Sequence, residues 1–133
     1  MATNRAPILV VALGKTVIGF DAFTGERLWE QDTPGTSTPR LAVLGDCVFV
    51  LSNGVQCLRM ATGELVWQGA EGYGETFLVA HGVVLVGTGG GEVTAYSAAD
   101  GRLLWHDGLQ GKGMLKIAFA MEGGPVVQID QSR

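Results

Sequence analysis

The chain has 133 residues and a mass of 14.0 kDa, 47% of it hydrophobic and 17% charged, with a net charge of −4 at pH 7. This is the composition of a packed globular domain and excludes a disordered chain. The nine basic residues are scattered singly, which excludes the Lys/Arg cluster that nucleic-acid phosphates require, and no apolar run approaches a membrane helix of about 18–20 residues.

In chain order, the first apolar stretch runs from Ala6 to Leu13 and ends at Gly14-Lys15. It superficially resembles a signal peptide, but it is short and aligns with strands later in the chain, so a strand is expected. A second strand leads to Thr24-Gly25, and a third ends at Trp29. The series resumes with a strand at Arg40–Leu44 and a turn at Gly45-Asp46. Strands then flank Asn53-Gly54, followed by the Thr62-Gly63 turn and a strand ending at Trp67. A third series has a strand at Thr76–Ala80, turns at His81-Gly82 and Gly87–Gly91, then Asp100-Gly101 and Trp105. Alternating apolar positions mark half-buried strands, and the glycines supply the positive φ of tight turns. In Gly111–Gly124 the run MLKIAFAM could pass for a helix, but the repeat register predicts a strand. Met114–Ala120 and Pro125–Asp130 then read as the opening strands of a fourth unit.

Trp29, Trp67 and Trp105 recur at one constant interval, and Gly25, Gly63 and Gly101 each precede a tryptophan by four positions. A fixed period in this range marks a repeat architecture whose units bury apolar faces against their neighbours. A unit of about 38 residues fits a four-stranded antiparallel meander, close to the ~40–45 residues of a propeller blade. The fold expected is all-β, with about three to four blades per chain. Residues 1–133 form one repeat domain, with blade units at about 8–31, 39–69 and 76–107 and a partial unit at 114–130. The first unit lacks a leading strand.

The chemical candidates are weak. Gly87–Gly91 lacks the Gly-Lys-Ser/Thr ending and the following helix of a phosphate loop, so a hairpin turn is expected. His81 and His106 have no metal-ligand spacing. Cys47 and Cys57 fall in strands without a CxxC pattern and read as a reduced core pair in a cytoplasmic protein. No serine has a nucleophile-elbow context. Glu26, Glu30, Glu64 and Asp107 fall at turns or strand ends, where solvated carboxylates are expected. No catalytic, cofactor-binding or metal residue is assigned.

The turn residues carry a resemblance. Gly19-x-Asp21-x-x-Thr24-Gly25-x-x-x-Trp29 is similar to the tryptophan-docking motif A-x-D-x-x-T-G-x-x-x-W of quinoprotein-type (PQQ-like) propeller repeats. The second copy keeps Thr62, Gly63 and Trp67 but has Cys57 and Arg59 in the first two positions. The third has Ala95, Ser97, Asp100, Gly101 and Trp105. The resemblance covers about residues 8–130 and implies propeller blades. It also includes proteins that act as scaffolds and bind no cofactor, among them a lipoprotein of outer-membrane assembly. Its quinone enzymes use adjacent cysteines and a calcium site of acid and amide groups. This chain has no adjacent cysteines, and its asparagines are Asn4 and Asn53.

The function expected is that of a non-catalytic scaffold that presents a surface to an unidentified protein partner. Exposed strand edges favour self-association, so a homodimer or other homo-oligomer closing the propeller is expected. The loops Asp32–Thr38, Gln68–Glu75 and Asp107–Gly113 form the candidate contact surface, with Tyr73 and Phe77 as its large apolar residues. Phe77 is also placed to begin a core strand. The alternative is a small-ligand binder or quinone-dependent enzyme fragment using the propeller funnel.

Overall fold

The computed structural model describes residues 6–35, 38–88, 90–112 and 117–124. Among these, all regular structure is β, with ten strands in three antiparallel sheets. Among the described residues no helix is long and apolar enough to cross a membrane. The contacts divide the chain into two compact units, Met1–Tyr73 and Gly74–Arg133.

The first unit holds two sheets. In one, β1 (Ile8–Leu13), β2 (Thr16–Asp21) and β3 (Arg27–Asp32) form a meander. The other contains β4 (Arg40–Leu44), β5 (Cys47–Arg59) and β6 (Leu65–Tyr73). The length of β5 is deceptive. Its first half pairs with β4, from Leu44↔Cys47 to Arg40↔Leu51, and its second half pairs with β6 through Val55↔Gly69 and Cys57↔Trp67. The amide of Met60 donates to the Asp46 carbonyl at 2.8 Å, and Arg59 lies 3.8 Å from the Asp46 carboxylate. A straight strand of that length would separate these ends by roughly 40 Å, so β5 doubles back at Asn53-Gly54, where Gly54 has φ +99°. The expected hairpin is present, and the sheet has four rows of backbone.

The core of this unit lies between the two sheets. Val17 of β2 and Val48, Val50, Leu58 and Met60 of the second sheet are buried together, with Trp29 packed against them. Phe49 and Leu51, on the opposite face of β5, are equally buried, and Phe49 meets Trp67 with ring centroids 6.1 Å apart and planes tilted by 55°.

The second unit has one four-stranded sheet of β7 (Thr76–Ala80), β8 (Val83–Gly87), β9 (Val93–Ser97) and β10 (Leu103–Asp107), each paired with the next. Leu78, Val79, Val84 and Ala95 are buried, whereas every residue of β10 is exposed. The strand expected over Met114–Ala120 is not formed in its described part. Residues 117–121 carry no ladder, and a turn follows at 122–124, closed by the Gly124 amide on the Met121 carbonyl at 2.9 Å. A strand needs a partner backbone, and none of the described residues supplies one here; the strand expected over Pro125–Asp130 lies outside the described residues. Instead the segment is held by single bonds: the Thr76 hydroxyl to the Ile117 carbonyl, and His81 Nε2 to the Glu122 carbonyl at 2.9 Å.

Candidate functional site

The three glycine turns have the same backbone wiring. The amide of Gly25 donates to the Asp21 carbonyl at 2.9 Å, Gly63 to Arg59 at 2.8 Å, and Gly101 to Ser97 at 2.8 Å. The return bonds repeat too, from Asp21 to Glu26 at 2.9 Å, Arg59 to Glu64 at 2.8 Å and Ser97 to Arg102 at 2.8 Å. A polar side chain before each glycine caps the turn. Thr24 and Thr62 accept from the amides of Glu26 and Glu64, both at 3.2 Å, and Asp100 accepts from Arg102 at 2.9 Å. The glycines take φ of +79°, +75° and +79°, which a side chain would resist.

Asp21 adds to the first turn. Its carboxylate accepts the amides of Phe23 at 2.8 Å and Thr24 at 3.0 Å. These bonds, the Phe23 amide foremost, hold its pKa below the ordinary carboxylate value. In the third turn Ser97 does a weaker version, accepting from Ala99 at 3.3 Å.

Next come the tryptophans. Trp29 pairs with Gly19 in the ladder and crosses to the next sheet, where its indole N–H donates to the Met60 carbonyl at 2.8 Å. A Cβ on Gly63 would lie 2.5 Å from Trp29 Cδ2, and one on Gly19 would lie 2.8 Å from Cζ2. The ring therefore lies between two glycines, one from each sheet. Gln31 reinforces the contact, its Nε2 donating to the Gly63 carbonyl at 2.9 Å. Nothing in the sequence singles out Gln31. The matching positions are Gly69 and Asp107, so the repeat gives no signal for it. Trp67 is 9% exposed, while Trp105 on the outer strand is 50% exposed.

The other candidates fall into ordinary roles. Gly87–Gly91 links β8 to β9 as a hairpin, with the Thr88 amide donating to Glu92 at 3.0 Å and Gly91 to Thr88 at 3.1 Å; Gly89 lies outside the described residues. His106 Nε2 is 3.4 Å from a Glu92 carboxylate oxygen, far along the chain from His81 in its turn. Among the described residues no three His, Cys, Asp or Glu side chains are grouped to hold a metal. Cys57 is buried and Cys47 partly so, and both are free thiols. Burial, reinforced by the neighbouring Cys47, pushes the Cys57 thiol up to about 12, the opposite of an activated nucleophile. Glu26, Glu30, Glu64 and Asp107 are exposed.

Of the predicted contact loops, Gln68–Glu75 is corrected. Most of it, through Tyr73, is the end of β6, because a register shift between Asn53 and Val55 lets the ladder continue to Asn53↔Tyr73. Beyond Asp32 the backbone turns inward, with the Thr33 amide on the Lys15 carbonyl at 2.8 Å and Gly35 against Ser52; Thr36 and Ser37 lie outside the described residues. After Asp107 a tight turn forms, with the Leu109 amide on the Asp107 carboxylate at 2.8 Å and Leu109 at φ +48°; Gly113 lies outside the described residues. Phe77 is a half-buried member of β7.

Comparison with known proteins extends this picture. The family model described as outer membrane protein assembly factor BamB matches residues 13–131. No curated protein gives a match. Among solved structures, BamB from Moraxella catarrhalis is similar over 77% of this chain and 34% of its own, at 24% identity and a TM-score of 0.65. The computationally designed Ika4 protein is similar over 91% of this chain and 83% of its own, at 17% identity and a TM-score of 0.68. A europium-containing methanol dehydrogenase shares 20% identity over 76% of this chain and 23% of its own, with a TM-score of 0.64. The chain thus spans about a third of the BamB structure and about a quarter of the dehydrogenase. At these identities the structures share its fold.

Proposed function

The chain belongs to the family of the outer membrane protein assembly factor BamB, and on that footing we propose that it is a non-catalytic β-propeller module. Its role is to present a rigid β surface to a protein partner, with the propeller closed by further copies of the chain. The observation that carries this reading is the contact of Trp29 with Gly63 and Met60. The repeated residues are used to fasten one sheet to the next, through an indole hydrogen bond and a glycine that admits the ring. The segment after β3 and the end of β6 in the first unit, and the segment after β10 in the second, are the contact segments of the proposal, each taken by itself. It also includes a reducing, cytoplasmic setting, in which Cys47 and Cys57 remain thiols.

The test is native mass by light scattering over a dilution series, paired with titration of a quinone cofactor and calcium. A stable small multiple of the chain mass without saturable cofactor binding supports the scaffold. A strict monomer removes self-association from the proposal, and saturable micromolar quinone binding replaces the scaffold with a cofactor-dependent function. Alkylation under denaturing conditions, after acid quenching of intact cells, tests the setting, since an oxidised cysteine pair would exclude it.

A further inference from the structure

We propose that Trp105 of one copy seats on the Gly25 turn of a second copy, reproducing between chains the contact that Trp29 makes within one. The inference rests on the self-association reading above and assigns it a specific joint.

The intramolecular contact defines what is required: an indole on one side and, on the other, a glycine turn with a carbonyl three residues before the glycine. Gly63 and Met60 meet the second requirement, and beneath Trp29 both are buried. Gly25 and Ala22 stand one repeat earlier with the same wiring. The Ala22 amide bonds Pro7 at 3.0 Å as Met60 bonds Asp46 at 2.8 Å, and Gly25 bonds Asp21 as Gly63 bonds Arg59. Yet Ala22 and Gly25 are exposed, and nothing lies within 4 Å of where a Cβ on Gly25 would project. The seat is formed and its ring position is empty among the described residues.

Its complement is at the other end of the repeat series. Trp105 holds the position of Trp29 and pairs with Ala95 as Trp29 pairs with Gly19. It is half exposed, with Leu103 and Leu104 exposed beside it. The empty seat is flanked by a matching apolar group, Phe23, which is 78% exposed where the other two turns carry Ala61 and Ala99. Among its described residues each copy therefore carries a half-exposed indole and an open seat. A second copy satisfies both kinds of surface with no third component, in a head-to-tail contact.

Three preparations test this by light scattering: the wild-type chain, Trp105→Ser and Gly25→Ala. The serine removes the indole, and the alanine puts a methyl where the Gly63 contact shows the ring must lie. Each variant alone is expected to fall to the mass of a single chain with its β circular dichroism intact. Mixed, they are expected to form a heterodimer, because one brings the seat and the other the indole. Wild-type tryptophan emission should shift to the red on dilution, and Trp105→Ser should not show that shift. Multimers that survive both substitutions would leave self-association standing and remove this joint. A mixture that stays monomeric while the wild type is multimeric would also overturn it, and a monomeric wild type would overturn both readings.

Discussion

The ring of Trp29 occupies the space that a side chain on Gly63 would need, with Cδ2 2.5 Å from the position of its Cβ. Two residues on different sheets thus exclude each other's alternatives. Gly63 cannot gain a methyl while Trp29 stays seated, and Trp29 cannot seat on any turn with a side chain there.

Gly63→Ala is accordingly expected to destabilise the first unit by about 2–4 kcal/mol, combining overpacking with left-handed backbone strain. Gly45 is the control. It has φ +62° and nothing within 4 Å of its Cβ position, so Gly45→Ala should cost only the backbone component, about 1–2 kcal/mol. Denaturant midpoints measured side by side check the difference; equal losses would mean that the ring contact contributes nothing.

Trp29→Phe keeps an aromatic ring but removes the donor to the Met60 carbonyl. The expected loss is about 1–3 kcal/mol, the range for a buried acceptor whose donor is removed. Chemical denaturation gives the value, and exchange of the Met60 segment by mass spectrometry should localise the loosening to the turn around Gly63.

The two cysteines should separate by reactivity. At pH 8 a thiol reagent is expected to modify Cys47 readily and Cys57 only on unfolding, because burial raises the Cys57 pKa to about 12. A raised folded-state pKa stabilises the fold below the ordinary value of 9.0 and loses that contribution as pH climbs towards 12. Stability should therefore decline above about pH 9, and Cys57→Ala should flatten that decline. Two fast thiols in the native protein would contradict the burial argument.

Asp21 gives the acid counterpart. Its carboxylate is held by the Phe23 and Thr24 amides, and its pKa lies below the ordinary 3.8. A depressed pKa contributes stability above the unfolded value, and that contribution disappears as pH falls through the folded one. Asp21→Asn, which retains an acceptor oxygen, is expected to lower the midpoint at neutral pH and to reduce the slope of the acid limb. Thermal melts between about pH 2 and 7 provide the comparison.

The repeat, the all-β class and the turn chemistry were legible because they are local. A polar residue before glycine, four positions ahead of tryptophan, specifies a turn and a strand end whatever surrounds it. The hairpin at Asn53-Gly54 was legible for the same reason, since glycine can take the positive φ that the turn needs. The absence of a ladder at residues 117–121 was not, because their apolar pattern matches a strand and only the partner backbone decides whether one forms. The extension of β6 to Tyr73 depended likewise on a register shift in β5 that no residue type announces.

Which residues recur is written in the chain: the three glycines, the three tryptophans and the polar caps, each a requirement met within a few bonds of its neighbours. What each copy does depends on the residues packed against it. The half-buried Trp29 has Met60 and Gly63 across from it, whereas Trp105 is half exposed, and Gly25 matches Gly63 in wiring but has an open face. Identical motifs differ in this way because packing is a property of pairs, and the second member of each pair lies far along the chain.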